Sequence, residues 1–423
     1  MGHLHGRPAS NVYDLDILPS IERCSVQRIS HSSQRYAWGS PTAIPEILGV
    51  PHDGRPFAEA WFGAHPSAPA RVVTPEGELP LDAVVATGRE AVLGADVAAR
   101  FGETLPYLLK LIAADKPLSL QVHPNLARAR EGFAEEEAAG VPVDAAHRNY
   151  RDRNHKPELV FALTQFEAMC GFRAPRRAAE MFAGLDAPLA KELHGILMAQ
   201  PDAEGIRTAF TQLLEPATRP SADEVRELAE ACAARLERGS PSPRADHTVV
   251  LLQSEYPGDP GVVTSLLLNP VTLQPGDAMF VPAGGVHAYL TGVAVEVMAS
   301  SDNVLRAGLT SKHVDVPELL RNVDYVAAPP IRIAPEVFHG ATRVFYAPVD
   351  DFELSVTDLV DDAPHPLPGR GPRILLCLGG AVTVATANDG TLTLERGQAA
   401  FVPASDGALT VSGSGTLVQA DVP

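Results

Sequence analysis

Between Gln27 and about Phe172, short apolar segments alternate with turn residues, the texture of successive strands. Within this block SLQVHPN, Ser119 to Asn125, follows the apolar run LPYLLKLIAADKPL. Alternation along a strand puts Ser119, Gln121 and His123 on one face and Leu120 and Val122 on the other. A polar row on an otherwise apolar strand needs partners, because polar groups leave water only when something satisfies them. One helical patch, Leu126–Ala139, interrupts the strands. The period changes from Pro175 to about Gln253. APRRAAEMFAGL, LAKELHGILMAQ and AEGIRTAFTQLL each space their apolar residues as a helix does. SADEVRELAEACAARLERGS opens with Ser221 and Glu224 in capping-box spacing and closes near Gly239. DHTVVLLQSEYPGD leads out of the helical block, and from Val262 the segments VVTSLLLN, VTLQPGDAMFVPAG and VAVEVMAS read as strands again.

LQPGDAMFVPAG (Leu273–Gly284) recurs as LERGQAAFVPAS (Leu394–Ser405), with Leu, Gly, Ala, Phe, Val, Pro and Ala in register. Each copy reads as strand, turn at Gly276 or Gly397, strand, and proline turn, so the pattern predicts two jelly-roll barrels. The expected division is a loose tail over 1–25, one β domain over 26–173 and 262–327, a helical insertion over 174–261, and a second β domain over 328–423. The fold class is therefore mainly β, a duplicated jelly roll with an α-helical insertion.

Composition narrows the function. Glycine and proline, 34 and 38 residues, are spread along the chain as turns and not gathered in one tract. A net charge of -18 argues against a general nucleic-acid or anionic-membrane partner, since both need basic surface. An anionic small substrate would need a local basic cluster. Cys24, Cys170, Cys232 and Cys377 form no CxxC pair, so the reading is reduced thiols in a cytoplasmic protein. No run reaches the ~18 apolar residues of a membrane span. His3 and His5 could bind metal only adventitiously.

GDAMFVPAGGVH sets Gly276, Pro282, Gly284 and His287 at G-x5-P-x-G-x2-H spacing, which resembles the second motif of the cupin jelly rolls. On spacing alone His287 is either an inward metal ligand or a surface-turn histidine. Cupins take further ligands from an HxH pair and a glutamate. Gln121-x-His123 occupies the HxH position, and Glu158 in NHKPELVFAL can supply the carboxylate.

SLQVHPN, NYRDRNHKPEL and HAYLTGVAVEVMASSDNVLRAGLTSKHVD closely resemble the type I mannose-6-phosphate isomerases, as do YAWGS, AEAWFGAHP and EYPGDPG. The resemblance spans about Gln27 to Leu320 and is weakest in the C-terminal third. It implies a bicupin that binds one Zn²⁺ per chain through Gln121, His123, Glu158 and His287. It implies reversible isomerisation of D-mannose 6-phosphate and D-fructose 6-phosphate through an enediol(ate), feeding GDP-mannose biosynthesis. Arg306 would then face the substrate, with Ser119, Lys312 and Lys156 as candidates for binding it; any single Lys or Arg is otherwise a solvated surface charge. Glu296, Asp302 and His155, beside Lys156, compete for proton transfer, and each could instead orient a ligand or Arg306. Trp38 and Trp61 read as packing anchors. Rival readings are a non-catalytic sugar-phosphate-binding cupin and a cupin metal oxygenase. A monomer is expected, with an oligomer left open. The second copy carries Ala408 where the first has His287, so its barrel should hold no metal.

Overall fold

The computed structural model describes residues 25–75 and 77–423; the expected N-terminal tail, with His3 and His5, lies outside them. Two antiparallel sheets, of ten and eleven strands, form the duplicated jelly-roll architecture. Both repeat copies have the same local form. Strand Leu268–Leu273 turns at Gly276 (φ 93°) into the buried strand Ala278–Val281, as Thr391–Glu395 turns at Gly397 (φ 81°) into Ala399–Val402. Each copy continues into a 13-residue strand, His287–Ala299 in the first and Leu409–Asp421 in the second. The positive φ at the turn is the conformation glycine adopts without steric cost.

Strand His287–Ala299 organises the first barrel. At its start His287 pairs in register with Gln121 and with Cys170, and further along Glu296 pairs with Lys110 and Val160. Its alternate residues face different cores. Val295 and Val297, like Leu109 and Leu111 opposite, join the apolar cluster between the two sheets, with Phe345, Leu354, Ile374 and Phe401. Glu296 and Lys110 project to the other face, into the barrel.

The helical block packs on the back of the site. Its helices include Pro175–Phe182, Pro188–Ala199, Ala203–Leu214, Ala222–Glu237 and Pro243–Glu255. The Ser221/Glu224 capping box forms in both directions. The helices share one core with Leu120, Val122, Val286, Leu305 and Ala307. The apolar face of the SLQVH strand is thus anchored on helices, which leaves Gln121 and His123 for the barrel mouth.

Three features depart from the sequence reading. VVTSLLLN does not begin a strand: Gly261–Thr264 is helical, Ser265–Leu267 is a 3₁₀ turn, and the strand starts at Leu268. Residues 262–268 are buried on all sides, so the run carries no period to distinguish helix from strand. DHTVVLLQSE likewise belongs to the helix Pro243–Glu255. The N-terminal β block also contains Leu81–Thr87, Arg89–Leu93 and Ala95–Phe101, short helices separated at Gly88 and Gly94.

Sheet membership crosses the division made along the sequence. Gln27–Ser30 pairs with Ala399–Val402 in the C-terminal sheet, while Ile331–Ile333 pairs with Ala278–Val281 in the first. Strand-forming residues show that a strand exists, not which edge it joins. Among the described residues no helix is long and apolar enough to cross a membrane.

Candidate metal centre and substrate cavity

Three strands bring one donor each to the barrel mouth. His123 follows Leu120–Val122, Glu158 opens Glu158–Ala162, and His287 opens His287–Ala299. His123, Glu158 and His287 are buried, and one donor atom of each lies within 4.8 Å of the others. His123 Nδ1 stands 2.9 Å from the Asn303 carbonyl oxygen, and His287 Nδ1 stands 3.0 Å from that of Gly285. A carbonyl oxygen only accepts, so both Nδ1 atoms carry the proton and both Nε2 atoms present lone pairs.

Those lone pairs point at a carboxylate. His123 Nε2 is 3.2 Å from Glu158 Oε1 and His287 Nε2 is 3.5 Å from Glu158 Oε2. His123 Nε2 is buried with no hydrogen-bond partner. Protonating the imidazoles would relieve the repulsion, but burial pushes His123 down to about 4. A cation between the three groups resolves the arrangement, and a set of neutral nitrogens with one carboxylate oxygen suits Zn²⁺. Gln121 pairs with His287 across the strands and lines the same small cavity, about 40 Å³, with its amide nitrogen 3.4 Å from Ser119 Oγ.

Glu296 and Lys156 line that cavity too. Lys156 Nζ is 3.3 Å from Glu158 Oε1. Glu296 is 2% exposed; it accepts from the Tyr289 hydroxyl at 3.0 Å and is ion-paired with Lys110 at 3.1 Å. Burial raises its pKa, with Lys110 opposing. The same Tyr289 hydroxyl lies 3.0 Å from Glu158 Oε2, so its single proton can serve one carboxylate at a time.

Other candidates stand further out. Asp302 lines a neighbouring cavity and faces His65 at 3.6 Å. His155 Nε2 is 3.0 Å from Asp351 Oδ2, across to the C-terminal sheet's side of the molecule. Arg306 sits on Leu305–Gly308 in register with Gln121. Burial and the neighbouring Arg151 lower its pKa, and burial with Arg306 and Arg151 lowers that of the exposed Lys312. Arg306 and Lys312 supply the local positive charge an acidic protein needs for an anionic substrate.

Sequence reasoning passed over Lys110, Glu59 and Tyr289. Trp61 donates to Glu59 at 2.6 Å, and Lys110 lies 5.0 Å over the Trp61 ring and 3.9 Å from Glu59. Lys110 had a signal, being the lone charge in the strand YLLKLIAA, which the structure buries throughout. Tyr289 had none, because a tyrosine in a strand reads as packing. Trp38 is half-buried and stacks on Tyr36, ring centroids 5.7 Å apart.

Known proteins share this architecture. Residues 26–175 match the family model for the phosphomannose isomerase type I catalytic domain, and residues 341–422 match that for the mannose-6-phosphate isomerase cupin domain. The chain is 42% identical over 400 residues to mannose-6-phosphate isomerase of Escherichia coli (strain K12), covering 93% of this chain and 99% of that one. It is 32% identical over 417 residues to mannose-6-phosphate isomerase 1 of Arabidopsis thaliana, covering 90% of each. A mutant phosphomannose isomerase from Salmonella typhimurium superposes with TM-score 0.86 at 39% identity, over 94% of this chain and all of that one. A zinc-bound mannose 6-phosphate isomerase crystal structure superposes with TM-score 0.84 at 40% identity, with the same coverage. With both barrels matched and the relatives spanned almost end to end, the chain belongs to the type I mannose-6-phosphate isomerase family.

Proposed function

We propose that this chain is a zinc enzyme that interconverts D-mannose 6-phosphate and D-fructose 6-phosphate. One observation carries the reading: in a chain of this family, two Nε2 lone pairs and the Glu158 carboxylate converge on one buried point. Gln121, His123, Glu158 and His287 would hold Zn²⁺, which when bound supplies Lewis-acid polarisation of the sugar's oxygens.

The remaining work falls to side chains. The reaction moves a proton between C2 and C1 through an enediol(ate), and a positioned acid–base group contributes roughly 10²–10⁴-fold. Among the three candidates Glu296 has the best support. It lines the donor cavity, and burial raises its pKa toward the range where it can both accept and return a proton. Lys110 fixes one of its oxygens, leaving the other toward Tyr289. Lys156 sets a positive charge beside the same cavity. Asp302, facing His65, and His155, tied to Asp351, read as orienting groups. Arg306, one strand over from Gln121, is placed to meet negative charge developing on the sugar oxygens, with Lys312 and Ser119 toward the phosphate.

The same reading includes a catalytic barrel over 26–173 and 262–327, the helical insertion over 174–261, and a metal-free barrel over 328–423. It places a monomer in the cytoplasm, supplying mannose 6-phosphate chemistry to GDP-mannose synthesis. A coupled assay on mannose 6-phosphate tests it: activity should disappear with a chelator, return with zinc, and fall at least about a hundredfold in Glu296→Gln. Zinc-loaded protein that binds mannose 6-phosphate without turnover would instead make the chain a sugar-phosphate-binding cupin.

A further inference from the structure

A second cavity of about 420 Å³ adjoins Asp302, and Arg130, Arg151 and Arg153 line it. Its volume falls within the ~300–1,000 Å³ of small-molecule sites. None of the three guanidinium groups makes an ion pair within 4.0 Å among the described residues. In a chain of net charge -18, three such groups around one cavity need a cause.

The cause lies in the loop that carries them. Asp152, between Arg151 and Arg153, is the natural partner for both, yet its carboxylate is already occupied. It accepts from Asp302 N at 2.7 Å, Asn154 N at 2.8 Å, Ser301 Oγ at 2.9 Å and Asn303 Nδ2 at 3.2 Å. Asn303, fully buried, also accepts from Arg151 N at 2.8 Å. The loop is pinned from within, and the two flanking arginines are left exposed. Arg153 rests 5.2 Å from the Phe133 ring centroid. Phe133 lies three residues after Arg130 on the helix Leu126–Ala138, so Arg130 and Phe133 share a face. Arg130 and Arg153 are thereby held toward one space without a counter-ion.

We propose that this cavity is a second anion site, distinct from the Arg306 and Lys312 cluster, that takes the tetrahedral dianion of a phosphate monoester. Planar guanidinium forks match such oxygens in pairs. Arg151 lines the cavity on the same loop, with Asp302 in the same wall. A sugar phosphate held there stands beside Asp302 and obstructs the reaction cavity, so excess substrate inhibits.

The test uses the full-length zinc-loaded protein and radiolabelled sulfate, a tetrahedral dianion that does not titrate near neutrality, in equilibrium dialysis. Two sulfates should bind per wild-type chain. Arg130→Ser with Arg153→Ser should weaken one site by at least about tenfold and abolish inhibition by excess substrate, with kcat/KM and zinc content unchanged. Lys312→Ala should weaken only the other. One sulfate per wild-type chain, two undiminished sites in the double variant, or loss of both sites in either variant overturns the proposal. The binding readout needs no turnover, so failure of the isomerase reading would show separately in the coupled assay.

Discussion

Replacing Lys110 by methionine removes the cation that is ion-paired with the buried carboxylates Glu296 and Glu59 behind the metal cavity. Lys110 Nζ is 3.1 Å from Glu296 and 3.9 Å from Glu59, and its pKa is raised against burial by those two groups. At an effective dielectric of ~20, a pair at that shorter distance is worth about 5 kcal/mol. Breaking a buried pair from one side costs about 3–5 kcal/mol, because the other charge is left uncompensated. The loss should depend on pH. Without Lys110 the pKa of Glu296, already raised by burial, rises further. A carboxyl group with a raised folded-state pKa binds its proton more tightly folded than unfolded. Its stabilisation is full below the unfolded-state value and is lost as pH rises through the folded-state value. Lys110→Met should therefore lie close to wild type in urea midpoint at about pH 5 and fall well below it at pH 8, both at saturating zinc. Adding Glu296→Gln should restore much of the pH 8 loss, giving a coupling energy of at least ~2 kcal/mol in the double-mutant cycle. Additive effects, or a penalty independent of pH, would refute the assignment of Lys110 as the counter-charge of Glu296.

His123→Ala and His287→Ala should each lose bound zinc and turnover while keeping wild-type circular dichroism, because the barrel is held by apolar faces; stoichiometric zinc in either variant would discard that ligand. Arg306→Ala should lower kcat and kcat/KM together by about a hundredfold or more with zinc retained, whereas a raised KM alone would make it a phosphate anchor. Asn303→Ala should weaken zinc binding by roughly 10–100-fold, measured by competition with a chromophoric chelator, because the lost side chain pins the loop at Asp152 and so fixes the backbone carbonyl that accepts from His123. Metal analysis after removal of residues 1–24 should give one zinc per chain; two tightly held ions would show that the barrel with Ala408 is not empty.

The sequence by itself determined the parts of this protein that local spacing encodes. Alternation separated Gln121 and His123 from Leu120 and Val122, and a helical period marked the block beginning at Pro175. The repeated turn announced two barrels, and the family motifs named Glu158 and His287 as partners of His123. Each of these depends on neighbours a few residues away, or on a motif whose spacing is itself the signal. Tertiary structure alone decided where uniformly buried runs and isolated charges would go. Val262–Leu268 became helix, turn and strand start because burial on every side erased its period. Gln27–Ser30 joined the far sheet because edge pairing is chosen by the assembled surface. Lys110 became the partner of Glu296 through a strand register linking positions 186 residues apart, and no local rule reaches that far. His123 acquired its tautomer from the carbonyl of Asn303, a contact made only once the barrel had closed. Local sequence chooses faces and periods, but a buried charge finds its counter-charge only when the whole chain has packed.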